Sequence, residues 1–481
     1  MPPTSLLSTP RQPEPVDVKN LNPKACGLEL SPAVLEAEYA VRGAIALKAS
    51  AYQRQLDSGQ GGDLPFTRKP ITFFRQVLSL CDWPQLLDDP HAADTFPPDA
   101  IQRAREYLGA IPGGLGAYSE SKGAAICRQH VAQGIEARDG HPCDIDDLWL
   151  TDGASRGVHM IMRTLLRDEQ DCILCPIPQY PLYSATITLY GGTLLPYHLD
   201  EERGWQASPE ELQAAVDGAG RQGRQVRALV VINPGNPTGE VLDAENQRQL
   251  ESLVLIADEV YATNIYAEGK QFQSFKKVLR DMGPDYATVA LVSLNSTSKG
   301  FYGERGGYME LANFPPAVKE QLYKLASISL CPNLALVMRP PQPGDPSNPL
   351  YEQERRAILE SLKRRAQLVV AAFRGLEGVT CNPVEGAMYA FPRLTLPAGA
   401  VAAAEQQGQQ ADFLYCMELL DQTGIVTVPG SGFGQAPGTY HLRTTILPPE
   451  EDMQAVSEAI ARFHRTFLER YGGGTQGSSG G

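Results

Sequence analysis

The stretch Val289-Ala-Leu-Val-Ser-Leu-Asn-Ser-Thr-Ser-Lys299 is a short apolar run that leads directly into a polar segment ending in a lysine. Four other apolar runs along the chain are also followed at once by polar residues. They are Leu148–Thr151, Cys172–Cys175, Ala228–Ile232 and Leu253–Ala257. Short strands that are apolar on both faces and alternate with helices predict an α/β fold, with a mostly parallel central sheet sandwiched by helices.

The polar segments after these runs contain hydroxyl, amide, carboxylate and amine groups. They are Asp152–Ser155, Pro176–Tyr183, Asn233–Gly239, Asp258–Tyr261 and Asn295–Lys299. In open α/β sheets ligands bind beyond the carboxyl ends of the strands. We therefore expect these segments to converge at one edge of the sheet and to form a site there.

The chain has 481 residues, which suits a large domain and a smaller one that share a cleft. Apolar spacing over Ser31–Ala51 predicts an N-terminal helix, and the proline-rich stretch Arg339–Pro349 marks a domain boundary. We divide the chain into a disordered N-terminal segment (1–22), an N-terminal helix with part of the small domain (23–71), a large ligand-binding domain (72–344), a C-terminal small domain (345–471) and a disordered tail (472–481).

Composition excludes several classes of partner. The net charge of -14 disfavours nucleic acid and offers no polybasic anchor for a membrane surface. No run approaches the roughly 20 apolar residues that cross a bilayer. The histidines are far apart in sequence, without the spacing of a metal site, so we expect no metal.

The nine cysteines have no regular spacing, which favours free thiols in a reducing compartment. Cys172 and Cys175 form a C-x-x-C pattern inside an apolar run, and we interpret them as core residues of a strand. Residues 1–20 form no basic amphipathic helix, and the chain lacks a peroxisomal Ser-Lys-Leu ending. We expect a cytoplasmic protein, with the mitochondrion as the alternative.

Three of the polar segments contain residues with a specific chemical use. Lys299 lies among hydroxyls and glycines, where a lysine can act as a neutral nucleophile and base. Asp258 directly follows a strand, where an aspartate more often caps a helix. Asn233-Pro-Gly-Asn-Pro-Thr-Gly239 also has the composition of a tight turn. Each segment alone is ambiguous, but their order and their common position at strand ends form a pattern.

That pattern resembles the fold-type I aminotransferases that use pyridoxal 5'-phosphate (PLP). Longer motifs are similar to the alanine aminotransferase branch, which includes the plant-type glutamate:glyoxylate aminotransferases. The resemblance covers about residues 39–467. Its motifs are Gly116–Ser119, Leu150–Ser155, Pro176–Ala185, Phe275–Leu279, Glu385–Tyr389, Val428–Gly434 and His441–Ile446.

The resemblance implies roles for the residues around the cofactor ring. Lys299 would hold the cofactor as a Schiff base and then shuttle the proton between the substrate Cα and the cofactor. Asp258 would pair with the pyridine nitrogen. Tyr261 and Asn236 would bond to the ring's 3-oxygen, and Tyr180 would stack on the ring face.

The resemblance also implies a phosphate site at the start of the helix after residue 153. Backbone N–H groups of Ala154 and Ser155 would bind the phosphate there, and Ser296, Ser298 and Arg305 would complete its shell.

Two further residues would act beyond the cofactor. Arg443, whose alternative role is a strand-edge salt bridge, would bind the α-carboxylate of the substrate. Tyr118 would reach the phosphate of a second subunit, which implies a homodimer.

The activity implied by the resemblance is transfer of the amino group of L-alanine to 2-oxoglutarate by a ping-pong mechanism, with amino acids and 2-oxo acids as the small-molecule partners. Glutamate:glyoxylate transfer is the closest alternative, because glyoxylate differs from pyruvate by one methyl group. A lyase of the same fold and an inactive homologue are the alternatives from other classes.

Four junctions are shorter than the family pattern. They follow Thr67, Leu250, Glu304 and Asn333, and the first omits a segment whose glycine lines the substrate pocket in the family. Gaps that remove motif residues and leave flanking sequence intact resemble lost exon ends. We therefore hypothesise that this sequence is a faulty translation of an active enzyme, from which short segments have been lost.

Overall fold

The computed structural model describes residues 31–38, 43–55, 71–114, 119–242, 254–284, 286, 288–299, 305–328 and 339–472. Several predictions fall outside these ranges. They concern Tyr118, residues 1–22 and 473–481, and the junctions after Thr67, Leu250, Glu304 and Asn333.

The described helices surround two sheets. In chain order they are α1 (Pro32–Glu36), α2 (Ala44–Gln55), α3 (Thr72–Asp82), α4 (Ala92–Thr95), α5 (Pro98–Ala110), α6 (Ala125–Asp139), α7 (Ala154–Leu165), α8 (Leu182–Leu189), α9 (Pro209–Arg221), α10 (Phe275–Asp281), α11 (Pro316–Ile328), α12 (Asn348–Arg374), α13 (Ala398–Gln406), α14 (Ala411–Thr423) and α15 (Met453–Gly472). Short 3-10 helices span Pro84–Asp88, Ile145–Asp147, Gly430–Phe433 and Glu450–Asp452.

The strands of the first sheet are β1 (Leu148–Thr151), β2 (Asp171–Ile177), β3 (Thr193–Asp200), β4 (Gln206–Ala207), β5 (Gln225–Ile232), β6 (Val254–Asp258), β7 (Leu291–Ser296) and β8 (Gly307–Ala312). The second sheet contains β9 (Val379–Thr380), β10 (Tyr389–Ala390), β11 (Arg393–Leu394), β12 (Val428–Pro429) and β13 (Tyr440–Thr445).

The first sheet has the strand order β1-β8-β7-β6-β5-β2-β3-β4. Strands β7, β6, β5, β2 and β3 pair in parallel, whereas β8 is antiparallel to both β1 and β7. Strand β4 adds an antiparallel edge. The predicted α/β class with a mostly parallel sheet is therefore confirmed, and each of the five predicted runs overlaps a strand.

Strand β5 shows why these runs are apolar on both faces. Ala228, Val230 and Ile232 pack in the cluster that contains α7, while Leu229 and Val231 pack on the opposite face with α9 and α10. Because successive side chains point to opposite faces, a strand covered by helices on both sides needs apolar residues at every position.

The second sheet packs in a separate hydrophobic cluster. This cluster combines residues of α12, α14 and α15 with the strands, for example Val370, Leu419 and Phe463. Ile45 of α2 belongs to the same cluster. The N-terminal helix α2 thus packs against C-terminal elements, and the division of the chain into domains stays a prediction.

One helix prediction is wrong. The single helix expected over Ser31–Ala51 is two helices, since α1 ends at Glu36 and Ala37 has extended backbone angles. Cys172 and Cys175 are free and fully buried in β2, so the interpretation as core cysteines is confirmed.

Candidate active site

The carboxyl ends of adjacent strands bring the predicted segments together. Ile232 at the end of β5 pairs with Asp258 at the end of β6, and Asp258 in turn pairs with Leu294 of β7. Lys299 lies three residues beyond the end of β7. The loop after β5, Asp258 and Lys299 therefore share one edge of the sheet.

Lys299 is half-buried and its amine lies 5.5 Å from the ring centre of Tyr261. A cation at this distance from an aromatic face is attracted by the ring. Burial raises the pKa of Asp258, and the positive charge of Lys299 is one of the weaker effects that oppose this rise.

Asp258 is buried, with 5% of its surface exposed. Tyr183 donates a 2.8 Å hydrogen bond to Asp258 Oδ2, and the backbone N–H of Val260 lies 3.4 Å from Oδ1. Burial raises the pKa of Asp258, and the hydrogen bonds oppose that rise. Tyr183 had no predicted role of its own, although it lies in the Pro176–Ala185 motif.

Arg443 is buried in β13, between the rings of Tyr389 and Phe433, whose centres lie 4.2 and 4.8 Å from its guanidinium carbon. Its Nη1 donates a 3.2 Å hydrogen bond to Asn236 Oδ1. Among the described residues no carboxylate lies within ion-pair distance of this guanidinium. The alternative role, a strand-edge salt bridge, is therefore absent from the described part of the chain, and the charge can bind an incoming anion.

Tyr261 and Tyr389 connect the two halves of this edge. Their rings meet edge to face at 6.1 Å between centres, and the hydroxyl of Tyr261 donates to that of Tyr389 over 3.4 Å. Burial raises the pKa of Tyr261 well above its ordinary value, so the phenol stays protonated and able to donate. Tyr389 had no predicted role beyond its place in the Glu385–Tyr389 motif.

The loop after β5 is also hydrogen-bonded through its backbone to the segment that precedes β10. The carbonyl of Gly239 accepts bonds from the N–H groups of Glu385 and Gly386, at 3.1 and 2.9 Å. Gly239 has a φ of +78°, which favours glycine. Asn236 is presented to Arg443 from this loop.

The start of α7 has the character of an anion site. Gly153 precedes the helix with a φ of +76°, and no side chain caps the helix N-terminus. A Cβ on Gly153 would lie 2.9 Å from Arg305 Nη2, so the missing side chain lets the guanidinium approach. Arg305 Nη1 also donates a 2.9 Å bond to Ser298 Oγ.

Further hydrogen bonds and charges surround the start of α7. Ser296 Oγ accepts from the N–H of Ser298 at 3.1 Å, which keeps both predicted hydroxyls together. Arg305 also lies 3.8 Å from Asp152 Oδ1, and both side chains are largely exposed. Ala154 and Ser155 form the first residues of α7 as predicted.

Tyr180 lies just before α8 at the carboxyl end of β2 and is half-buried, three residues before Tyr183. Tyr118 lies outside the described residues.

Within the described ranges, no cluster of three or more His, Cys, Asp or Glu side chains could hold a metal ion. No described helix is both long enough and apolar enough to span a membrane.

The family model described as Aminotransferase class I and II matches residues 87–460 of the chain. Alanine aminotransferase 2 of Panicum miliaceum is 49% identical over 486 aligned positions, with 95% of this chain and 99% of that protein covered. Glutamate–glyoxylate aminotransferase 1 of Arabidopsis thaliana is 48% identical over 458 positions, with 91% of this chain and 95% of that protein covered. The resemblance to this branch is confirmed.

A solved structure of alanine aminotransferase from Pyrococcus furiosus has a TM-score of 0.68 at 22% identity, covering 91% of this chain and 100% of that one. It shows the fold alone. The Panicum alignment has 486 positions, more than the 481 residues of this chain, although 95% of the chain takes part. This chain therefore lacks residues inside the matched region that its relative contains.

Proposed function

The chain belongs to the class I and II aminotransferases, and from this premise we propose that it moves the amino group of L-alanine to 2-oxoglutarate in a ping-pong sequence. The products are pyruvate and L-glutamate. The observation that carries the proposal is the arrangement of Lys299 and the buried Asp258 at adjacent strand ends. Close relatives named as alanine aminotransferases support the choice of substrates.

The described residues fit PLP, the cofactor that this family uses. The uncapped start of α7, with Arg305 held against the bare Gly153, suits a phosphate. Ala154 and Ser155 would donate backbone bonds to it, and Ser296 and Ser298 would contribute hydroxyls. When bound, PLP supplies an aldehyde that takes up the amino group and a ring that accepts the electron pair left at Cα.

In this proposal four residues act on the ring. Asp258, as a buried carboxylate, would keep the pyridine nitrogen protonated. Asn236 would donate through Nδ2 to the 3-oxygen while its Oδ1 accepts from Arg443. Tyr261 would turn its single O–H from Tyr389 to the same oxygen, and Tyr180 would cover one face of the ring.

Lys299 would hold the cofactor and would then take the proton from the substrate Cα and return it at the cofactor. Lys299 is half-buried and lies beyond the end of β7, at the same edge of the sheet as Asp258.

Arg443 would bind the α-carboxylate that all the amino acid and 2-oxo acid substrates share. A planar guanidinium binds a carboxylate in two parallel hydrogen bonds, which fixes the Cα–H bond relative to the lysine. Because both half-reactions use such a carboxylate, one arginine serves both. The rings of Tyr389 and Phe433 hold the guanidinium in place.

Glutamate:glyoxylate transfer is the second candidate, since a relative with that name is 48% identical. One methyl group separates pyruvate from glyoxylate, and a pocket distinguishes such substrates by ~1–3 kcal/mol. An inactive homologue or a faulty translation is the third, because of the shortened segments. A lyase of the same fold would release a cleavage product without equivalent 2-oxo acid.

A coupled assay of the purified protein with added PLP tests these candidates. With alanine and 2-oxoglutarate we expect one pyruvate per glutamate formed, and glyoxylate offered in parallel measures the alternative activity. Lys299→Ala should lower the rate by more than about 10²-fold, whereas Lys277→Ala, on the half-exposed face of α10, should not. Absence of turnover with every pair would support the inactive homologue.

We also propose a homodimer in which Tyr118 of one subunit reaches the phosphate of the other, which light scattering with and without PLP would test. The compartment has two candidates. The sequence favours the cytoplasm, while relatives in Arabidopsis thaliana and Dictyostelium discoideum are named mitochondrial. Imaging of the tagged full chain separates them.

A further inference from the structure

Tyr183 is a buried tyrosine whose hydroxyl contacts a carboxylate of the candidate site. It is the second residue of α8, with no exposed surface, and its hydroxyl donates to Asp258 Oδ2 at 2.8 Å. The two residues are 75 positions apart in sequence, on elements that follow β2 and end β6. Strand β5 lies between these two strands in the sheet, so the hydrogen bond crosses above its end.

We propose that Tyr183 is a positioning residue for cofactor binding, which fixes the rotation of the Asp258 carboxylate and stabilises its ionised form. This inference rests on the proposed function, since it takes Asp258 as the partner of the pyridine nitrogen. Tyr183 itself would touch neither substrate nor cofactor.

The balance of forces on Asp258 supports this role. Burial opposes the charge on Asp258 and raises its pKa, and the bond from Tyr183 is the largest of the opposing effects, ahead of the Val260 N–H and the charge of Lys299. A hydrogen bond to a charged acceptor is stronger than one between neutral groups. A carboxylate that stays ionised holds a protonated ring nitrogen more tightly.

Tyr197 of β3 offers a comparison, because it is a buried tyrosine whose hydroxyl binds a backbone group instead of a proposed site residue. It is also almost fully buried and its hydroxyl also donates over 2.8 Å, but the acceptor is the backbone carbonyl of Val230. The two hydroxyls match in burial and in hydrogen-bond length. They differ in the group that accepts the hydrogen bond. For Tyr197 it is a backbone carbonyl, and for Tyr183 it is the carboxylate of Asp258, the proposed partner of the cofactor.

The experiment compares Tyr183→Phe with the matched control Tyr197→Phe. Each change removes one oxygen atom and keeps the ring in its cavity, so both variants should fold. The apoprotein of Tyr183→Phe should lose more thermal stability than that of Tyr197→Phe, because only its lost bond has a charged acceptor. The apoproteins are titrated with PLP while the visible absorbance of the bound cofactor is followed. We expect a dissociation constant about 10-fold higher for Tyr183→Phe and within twofold of wild type for Tyr197→Phe.

A second readout is the pH at which the visible band of the bound cofactor changes. A less firmly held charge at the ring nitrogen makes the nitrogen joined to Lys299 more basic, so this pH should move upward in Tyr183→Phe and stay unchanged in Tyr197→Phe. Equal PLP affinities and equal transition pH values for the two variants would overturn the inference alone. A wild-type chain that binds no PLP would overturn the proposed function together with it.

Discussion

Arg443 Nη1 donates a 3.2 Å hydrogen bond to Asn236 Oδ1, joining strand β13 of the second sheet to the loop after β5 of the first. The guanidinium thus has a neutral amide as a partner, and the charge is not cancelled by a carboxylate within the described residues. A buried cation in this state is stabilised when an anion binds, because the anion completes a pair that burial otherwise opposes.

This relationship predicts the effect of Arg443→Lys. Lysine keeps the charge but loses the two parallel hydrogen bonds to a carboxylate, so KM for alanine and for 2-oxoglutarate should both rise roughly 10- to 100-fold with a smaller change in kcat. Steady-state kinetics measures this, and Arg393→Lys, an ion-pair arginine on β11, is the control. Unchanged KM values would remove Arg443 from substrate binding.

Gly153→Ala tests the phosphate site. A Cβ at Gly153 would meet the guanidinium of Arg305 and would also strain a φ of +76°. The control is Gly140→Ala, since Gly140 directly follows α6 with a φ of +74° and an added Cβ there would have no atom within 4 Å. Gly140→Ala should lose roughly 1–2 kcal/mol of unfolding free energy, because its ψ of 15° places Gly140 in the left-handed helical region. Gly153→Ala should lose about 1–3 kcal/mol, because its ψ of 161° places Gly153 in a region that residues other than glycine rarely adopt.

PLP affinity separates these two variants. We expect the dissociation constant to rise about 10-fold or more for Gly153→Ala and to stay near wild type for Gly140→Ala. An equal effect in both would mean that the contact between Gly153 and Arg305 has no part in holding the phosphate.

Glu240 predicts a pH dependence of stability. Burial raises the pKa of the Glu240 carboxyl to about 7. Hydrogen bonds from Thr238 and from its own backbone lower this pKa, the charge of Glu385 raises it, and the charge of Lys270 lowers it. The folded protein thus binds the Glu240 proton more tightly than the unfolded chain. The stabilisation of the folded protein by the Glu240 proton is fully present below about pH 4.5 and is lost as the pH rises to about 7.

Urea unfolding of the apoprotein at pH 5 and pH 8 measures this effect. Glu240→Gln should reduce the loss of unfolding free energy between these pH values by up to about 3 kcal/mol, because glutamine keeps the shape without the proton equilibrium. The exposed Glu320→Gln on α11 should leave the loss unchanged. Burial gives Glu259 a pKa of about 7 as well, so part of the pH dependence should remain in Glu240→Gln.

The four shortened junctions make a prediction about the transcript. If they are lost exon ends, cDNA sequencing should recover reads with additional in-frame codons after Thr67, Leu250, Glu304 and Asn333. Protein expressed from that longer reading frame should bind PLP more tightly than the present chain. Reads that all lack those codons would show that the present chain is the natural product.

Much of the fold could be predicted because the central strands are apolar on both faces. Strand β8 was missed for a physical reason, since it begins with glycine and contains Glu310, whose charge is accommodated by a buried 2.5 Å ion pair with Lys276. Strand β3 was missed because most of its residues are only half-buried and its sequence mixes polar with apolar positions. A local sequence pattern shows neither a buried ion pair between distant residues, as in β8, nor the partial burial of a strand such as β3.

The candidate site was predictable where its residues directly follow strands, as Lys299 and Asp258 do. The contacts of Tyr183 and Tyr389 were not, because each depends on which strands become neighbours. No local spacing indicates that Tyr183 reaches Asp258, or that the ring of Tyr389 lies against Arg443.

The paired amide bonds to the carbonyl of Gly239 also restrict how the molecule can open and close. A hinge motion that keeps both bonds has to carry the Asn236 loop along with the second sheet. Asn236 and Arg443 would then keep their relative position, so the carboxylate clamp would stay assembled during such a motion.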